Sequence, residues 1–292
     1  MKQPVNNGAL SSDGARVFSA WAVLPGAAID IGVFYLLTGG GVALGAAHMV
    51  SFLMAALVFY AIKVRRGLPV SSKARNTYLK AYVTVILMAL FLRGGVLADF
   101  TQMWGWSPQR AILVAALAAY LTVYLGLTRF VFFPALSGPL STEQWRAVSL
   151  GLLIYALLLR LVYVGLPELL HEEAYYWNYA QHLDIGYLDH PPLVGWIIWL
   201  FTSVMGHTEL AVRCGAFAIW IVGAYYVYHL TRRIFDKITA IGAVLLFATL
   251  PVYFCLGFVM LPDTPLVACW AGAVYYLYSL LIDERPRAGV GV

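Results

Sequence analysis

The sequence predicts an all-α membrane protein: a polytopic helical bundle of about eight transmembrane helices with an external amphipathic and interfacial helical loop. Of its 292 residues, 62% are hydrophobic and only 11% are charged, and the mean hydropathy is +0.78. Soluble proteins contain roughly 45–50% apolar and about 25% charged residues. The composition therefore excludes a disordered chain, a nucleic-acid-binding module and an ordinary cytosolic enzyme.

The first half of the chain contains four apolar segments that follow a polar tail, residues 1–16, which we expect to be disordered. The stretch 63–80 holds six Lys and Arg residues and no acid, which is typical of a cytoplasmic loop. With that loop inside, the N-terminus is cytoplasmic as well. The four predicted spans are residues 17–37, 42–62, 82–97 and 111–133.

Residues 135–146 are rich in Pro, Ser and Gly and predict a linker between two membrane domains, 17–134 and 147–292. Residues 193–205 are apolar but too short for an ordinary span, and we interpret them as an interfacial helix. This choice keeps the later basic loop and the C-terminus cytoplasmic. The predicted spans of the second domain are residues 147–166, 211–230, 238–258 and 266–282.

Charges are strongly segregated along the second domain. The interval 161–212 has no Lys or Arg but holds six of the fourteen acids and four of the six histidines, which predicts an external segment. Within it, residues 168–183 read as an amphipathic helix, and Pro167 directly before them can sit at its start because its missing N–H costs nothing there. On this helix Tyr179 is predicted on the polar stripe and Ala174 on the apolar one.

The acids of that helix have two interpretations. A partly desolvated carboxylate at Glu172 or Glu173 would have a raised pKa suited to general-base catalysis. Alternatively, Glu168, Glu172 and Glu173 are solvated first-turn acids that the helix dipole favours.

Asp30 and Arg93 are ionisable residues inside predicted spans of the first domain. Such residues are costly in a membrane, so they either pair with each other, reach an interface, or meet a lipid phosphate. The segments GAAIDIGVFYLL and LTVYLGLTRFVFFP make residues 17–134 resemble the GtrA-like family of four-helix membrane proteins. That resemblance implies a protein that moves or holds polyprenyl-phosphate-linked sugars, with Asp30 and Arg93 as its candidate site residues.

The second domain carries the motifs EEAYYW at 172–177 and GYLDHPP at 186–192, followed by GHTELAVR and LPDTPL. In these motifs residues 147–282 resemble the N-terminal part of family 39 glycosyltransferases of the GT-C superfamily, which includes protein O-mannosyltransferases and aminoarabinose transferases. The resemblance implies Glu172 as catalytic base, with Glu173 beside it. It also implies that the lipid phosphate or substrate is bound by Tyr187, Asp189, His190, Arg213 and Asp263.

Simpler roles stay open for two of these residues. Arg213 can be an interfacial anchor, and Asp263 can be a helix N-cap. No H-E-x-x-H-like spacing supports a metal site, so we expect no cofactor, although a divalent metal is compatible with the sequence.

The sequence therefore supports two hypotheses of function. The first is a membrane glycosyltransferase, or its N-terminal part, that transfers a sugar from a polyprenyl phosphate to a hydroxyl acceptor of the cell envelope. The second is a non-catalytic GtrA-type carrier or scaffold for the lipid-linked sugar. Family members have more spans and a further external domain, so we expect either a piece of a longer protein or a reduced protein that needs a partner glycosyltransferase subunit.

Expected partners are the lipid-linked sugar, membrane lipid and an unidentified acceptor, but not nucleic acid. The expected location is the bacterial inner membrane, with the site on the external face.

Overall fold

A computed structural model describes residues 24–65, 72–127, 142–284 and 286–291, and all regular structure in those ranges is helical. The prediction of an all-α helical membrane bundle is confirmed. The chain divides into two compact units, Met1–Leu140 and Ser141–Val292. The predicted tail 1–16 and the part of the predicted linker before residue 142 lie outside the described residues.

The first unit contains four helices in the described ranges, and α3 continues into a π-helical turn, Asp99–Met103. Gly41 and Gly105, in the two connections α1–α2 and α3–α4, have φ of 80° and 65°, a conformation that glycine adopts without strain. Helix α1 packs on α2 and α3 packs on α4. The helices are α1 Leu24–Gly39, α2 Leu44–Arg65, α3 Ser72–Ala98 and α4 Pro108–Gly126.

Asp30 and Arg93 pair with each other inside the first unit. Arg93 Nη2 donates to Asp30 Oδ1 at 2.8 Å, and both side chains are completely buried. The other terminal nitrogen, Nη1, donates to the carbonyl oxygen of His48 at 2.6 Å. The buried pair is therefore a contact between α1 and α3 that also holds the backbone of α2.

The second unit contains seven α-helices in the described ranges, and a 3₁₀ helix, Pro286–Gly291, follows the last one. Thr208 and Asp236 cap α8 and α9, since their side chains accept hydrogen bonds from backbone N–H groups of the first turn. Helix α8 packs against α7, α9 and α11, so it is the central helix of the unit. The helices are α5 Thr142–Tyr163, α6 His171–Gln181, α7 Leu193–Met205, α8 Glu209–Ile234, α9 Lys237–Thr249, α10 Pro251–Leu256 and α11 Asp263–Leu281.

Six described helices are long and apolar enough to cross a membrane: α2, α3, α4, α5, α8 and α11. They correspond to the predicted spans two to six and eight. The short helix predicted over 193–205 is confirmed as α7, and α1 and α9 are likewise apolar but short. The first predicted span, 17–37, is described as a helix only from Leu24 onward.

Two predicted boundaries are wrong. The span predicted over 238–258 is two helices, because Pro251 begins α10 and the preceding Leu250 has an extended ψ of 131°. Proline has no N–H to donate to the previous turn, and it disfavours a helical conformation in the residue before it. The linker predicted to reach residue 146 ends earlier, since α5 begins at Thr142.

Removing one partner of the pair in the first unit tests its role. Asp30→Ala leaves the Arg93 cation buried without its carboxylate, and we expect the free energy of unfolding to fall by about 3–5 kcal/mol. Denaturant unfolding in detergent micelles, followed by circular dichroism, measures this. The double variant Asp30→Ala/Arg93→Met, which removes both charges, should be more stable than Asp30→Ala. If its stability is equal or lower, the two buried charges do not compensate each other.

Candidate active site

The segment between α5 and α6 is a loop whose carbonyl groups bind the Arg213 guanidinium. Arg213 Nη1 donates to the carbonyl oxygens of Val164 at 3.1 Å and Pro167 at 2.6 Å, and Nη2 donates to that of Glu168 at 2.8 Å. A helix over these residues would use the same carbonyl groups for its own hydrogen bonds. The predicted helix over residues 168–183, with Pro167 at its first turn, is therefore wrong at its start, and α6 begins at His171.

Glu173 forms a buried ion pair with Arg213. The carboxylate is completely buried and accepts from Arg213 Nε at 3.0 Å and Nη2 at 2.7 Å. It also accepts from the backbone N–H of Leu170 and of Met260, each at 3.1 Å. Together with the loop carbonyls, these bonds use all five N–H donors of the guanidinium and both oxygens of the carboxylate.

The ion pair joins three parts of the second unit. Glu173 belongs to the first turn of α6, Arg213 to α8, and Met260 to the connection between α10 and α11. Charge-assisted bidentate bonds of this kind have restrictive geometry. The position of α6 against the bundle is therefore set largely by one side chain.

The buried face of α6 differs from the predicted one. Its buried residues are Glu173, Tyr176, Tyr179 and Ala180, whereas Glu172 and Ala174 are exposed. Placing Tyr179 on the polar stripe and Ala174 on the apolar one was wrong. The turn that directs Glu173 to Arg213 directs Tyr176 and Ala180 inward with it, because residues three and seven positions later share its face.

Asp189, from the loop after α6, is held by two tyrosine hydroxyls. Tyr175 Oη donates to the carboxylate, with distances of 3.0 Å to Oδ1 and 3.1 Å to Oδ2, and Tyr179 Oη donates to Oδ1. The hydrogen bond from Tyr179, followed by that from Tyr175, holds the pKa of Asp189 below its ordinary value. About half of the side-chain surface stays exposed, so the carboxylate can meet a ligand.

His190 lies beside this carboxylate and against Tyr176. Its Nε2 is 3.8 Å from Asp189 Oδ2, and its ring meets the Tyr176 ring edge-on at a centroid distance of 5.3 Å. Burial raises the pKa of Tyr176, and the charges of Asp189, Asp263 and Glu172 raise it further, together with Tyr175. Of these acids, Asp189 belongs to the loop after α6, Asp263 to α11 and Glu172 to α6 itself.

Tyr187 holds the loop between α6 and α7 in place. Its ring stacks on Tyr179 with centroids 3.7 Å apart, and its hydroxyl lies 2.9 Å from the carbonyl oxygens of Tyr179 and His182. The same hydroxyl accepts from the backbone N–H of Asp184 at 3.2 Å. The structure thus gives Tyr187 loop contacts, whereas sequence reasoning offered it as a substrate ligand.

The structure brings Asp189 and His190 together against the tyrosines of α6, and Glu172 lies one turn before Tyr176 on the same helix. We call these residues, together with Asp263, whose charge acts on the Tyr176 phenol, the Tyr176 cluster. The structure places Glu173 and Arg213 in a separate buried pair. Sequence reasoning missed Tyr175 and Tyr179 as partners of Asp189, although their spacing of four residues puts both hydroxyls on one side of a helix. Among the residues that the structure describes, no group of three His, Cys, Asp or Glu side chains is arranged to hold a metal ion.

Comparison with known proteins gives a family match that lies within the second unit. Residues 189–292 match the family described as dolichyl-phosphate-mannose-protein mannosyltransferase. A stretch of 39 residues is 38% identical to the lipid A galacturonosyltransferase RgtD of Rhizobium johnstonii. That alignment covers 13% of this chain and 8% of the relative, so the chain matches only a small part of that protein.

No solved structure matches the chain. The family match begins at Asp189 and includes His190, Arg213 and Asp263, so it supports the GT-C resemblance of this part of the chain. The GtrA-like resemblance of residues 17–134 stays a prediction.

Neighbouring carboxylates on α6 allow a matched test of the buried pair. Glu173→Ala leaves the Arg213 guanidinium buried without its anion, and we expect a loss of about 3–5 kcal/mol in the free energy of unfolding. Glu172→Ala, at an exposed position, should change it by no more than about 0.5 kcal/mol. Denaturant unfolding in micelles compares the two variants. An equal loss of unfolding free energy in both would show that Glu173 contributes no more to stability than Glu172 does.

The tyrosine hydroxyls give a prediction about pH. Tyr179→Phe removes the main hydrogen bond to Asp189, so the pKa of this carboxyl should rise towards its ordinary value of 3.8. In the wild type the lowered pKa of Asp189 stabilises the folded state at pH values above 3.8. This stabilisation is lost as the pH falls through the pKa that Asp189 has in the folded state. Carbon-13 NMR of labelled aspartate, assigned with Asp189→Asn, measures the pKa.

Tyr278→Phe, which alters a tyrosine in the last turn of α11, is the control for that titration. An unchanged pKa of Asp189 in Tyr179→Phe would show that the hydroxyl contributes nothing to holding the carboxylate ionised.

Proposed function

We propose that the second unit belongs to a membrane glycosyltransferase that moves a sugar from a polyprenyl-phosphate donor to a hydroxyl acceptor at the Tyr176 cluster. The observation that carries the proposal is that Asp189 and His190 contact tyrosines of α6, the helix whose first turn leaves Glu172 exposed. The buried Glu173–Arg213 pair holds this helix in place. The family match over residues 189–292 supports the reaction class.

Glu172 is the proposed general base. It is exposed, and it stands next to a glutamate whose oxygens are all engaged, so of the two it is the one that can meet an acceptor. In the proposed reaction the Glu172 carboxylate takes the acceptor proton while the acceptor oxygen bonds to the anomeric carbon. The bond from that carbon to the phosphate oxygen breaks, and the polyprenyl phosphate leaves with the electron pair.

His190 is the proposed contact to the leaving phosphate. A ring nitrogen can donate a hydrogen bond to a phosphate oxygen, and charge developing there is stabilised most by donors already in place. Asp189 is held by Tyr175 and Tyr179 and lies beside the imidazole, so it can orient the ring. Asp263, at the start of α11, contributes a negative charge that acts on the Tyr176 phenol.

Arg213 does not have this role in the proposal. Its five donors are occupied by Glu173 and by three backbone carbonyls, and its side chain is 1% exposed. A lipid phosphate would have to displace those bonds. We therefore assign Arg213 and Glu173 to the scaffold that presents Glu172.

An envelope lipid is the acceptor class that we propose, because the name of the galacturonosyltransferase relative specifies lipid A. The proposed location is the bacterial inner membrane, with both termini cytoplasmic and the Tyr176 cluster on the external side, which agrees with the absence of Lys and Arg from residues 161–212. The carrier alternative stays a prediction. In the first unit its two candidate residues, Asp30 and Arg93, form a buried ion pair with each other.

Substitution of Glu172 tests the proposal. Glu172→Gln keeps the shape of the side chain but cannot accept a proton, so transfer should slow by about 10²–10⁴-fold. Membranes that contain the full chain are supplied with radiolabelled polyprenyl-phosphate sugar, and label in envelope lipid is counted. Glu168→Gln, another exposed acid on the same segment, is the matched control and should retain activity.

Membrane insertion and stability of both variants are measured in parallel. Transfer that is unchanged in Glu172→Gln would refute the base assignment. If the wild-type chain neither transfers the sugar nor binds the lipid-linked donor, the proposed function itself is wrong.

A further inference from the structure

The loop between α6 and α7 exposes two large apolar side chains beside the Tyr176 cluster. Ile185 is 89% exposed, and Leu188 is fully exposed at 103% of its reference surface. Leu188 directly precedes Asp189. Side chains of this kind are unfavourable in water, and their apolar area favours transfer to a hydrocarbon environment.

The loop holds these two side chains outward by fixed contacts. Tyr187, which lies between them, stacks on Tyr179, and its hydroxyl bonds to three backbone groups of residues 179–184. Trp196 of α7 donates from Nε1 to the carbonyl oxygen of Asp184 at 3.0 Å. The backbone on both sides of Ile185 is therefore tied to helices, and collapse of the two side chains onto the protein would break these bonds.

The apolar surface continues from the loop onto α7. This helix is 13 residues long, too short for an ordinary span, and has no charged residue. Six of its residues leave large apolar side chains exposed, two of them indoles: Leu193, Trp196, Trp199, Leu200, Val204 and Met205.

We propose that Ile185, Leu188 and the exposed side of α7 form a membrane anchor that enters the boundary between lipid headgroups and acyl chains. The occupant of this surface is the lipid of a bilayer, which six described helices are long and apolar enough to cross. Indole rings favour the headgroup level, and an apolar surface of this kind lies in the plane of the interface. Residues 161–212 contain no Lys or Arg that would meet the hydrocarbon.

The anchor has a consequence for the cluster beside it, which rests on the proposed function. Since Leu188 is next to Asp189 and His190, the depth of Leu188 sets the height of these two side chains at the membrane surface. Headgroup level is where the phosphate of a lipid-linked donor lies. The anchor would thus place His190 at the level of the phosphate that it is proposed to contact.

Spin-label accessibility tests the anchor without any assay of activity. Cys214, Cys255 and Cys269 are replaced by Ala, and single cysteines are introduced as Ile185→Cys and Leu188→Cys. Each full-length variant is labelled with a nitroxide and reconstituted in phosphatidylcholine–phosphatidylglycerol vesicles. Because both positions are exposed, the labels should not disturb packing.

The expected result is a ratio of oxygen to nickel-chelate collision rates that is several-fold higher at both positions than at His182→Cys. His182 is the matched control, since it is an exposed polar position on the same segment. A water-like ratio at 185 and 188 would overturn the anchor. Low collision rates with both reagents would also overturn it, because they would indicate that a second copy or another protein covers the surface.

Discussion

The buried ion pair between Glu173 and Arg213 is the interaction on which the second unit depends. It satisfies every polar atom of both side chains, and it also binds the loop after α5 and the backbone at Met260. A buried pair adds stability only when its hydrogen bonds are complete, since desolvation of two ions is costly. Here they are complete, so the pair fixes where α6 lies against α8.

The orientation of α6 in turn determines the chemistry of its outer surface. Successive helical residues point about 100° apart, so burial of Glu173 leaves Glu172 exposed. The same orientation turns Tyr176 and Tyr179 inward, where Tyr179 meets Asp189 and stacks on Tyr187. Two adjacent glutamates thus have different surroundings: one holds the scaffold, and the other is available to a ligand.

Much of this architecture could be predicted from hydropathy and charge. Six long apolar helices agree with predicted spans, and α7 has the predicted bounds, because apolar length is a local property. The break at Pro251 and the late start of α6 were missed. Pro251 was visible in the sequence, but the loop before α6 exists because its carbonyl groups bind an arginine 45 to 49 residues further along the chain.

The sequence by itself determined the membrane class, the clustering of acids and histidines in one Lys- and Arg-free interval, and Glu172, Asp189, His190 and Asp263 as candidates. Only the tertiary structure decided that Arg213 pairs with Glu173, that Asp30 pairs with Arg93, and that tyrosines hold Asp189. The physical reason is that hydropathy and charge sum over neighbours in the chain. Hydrogen bonds, by contrast, depend on which distant groups the packed helices bring within 3 Å.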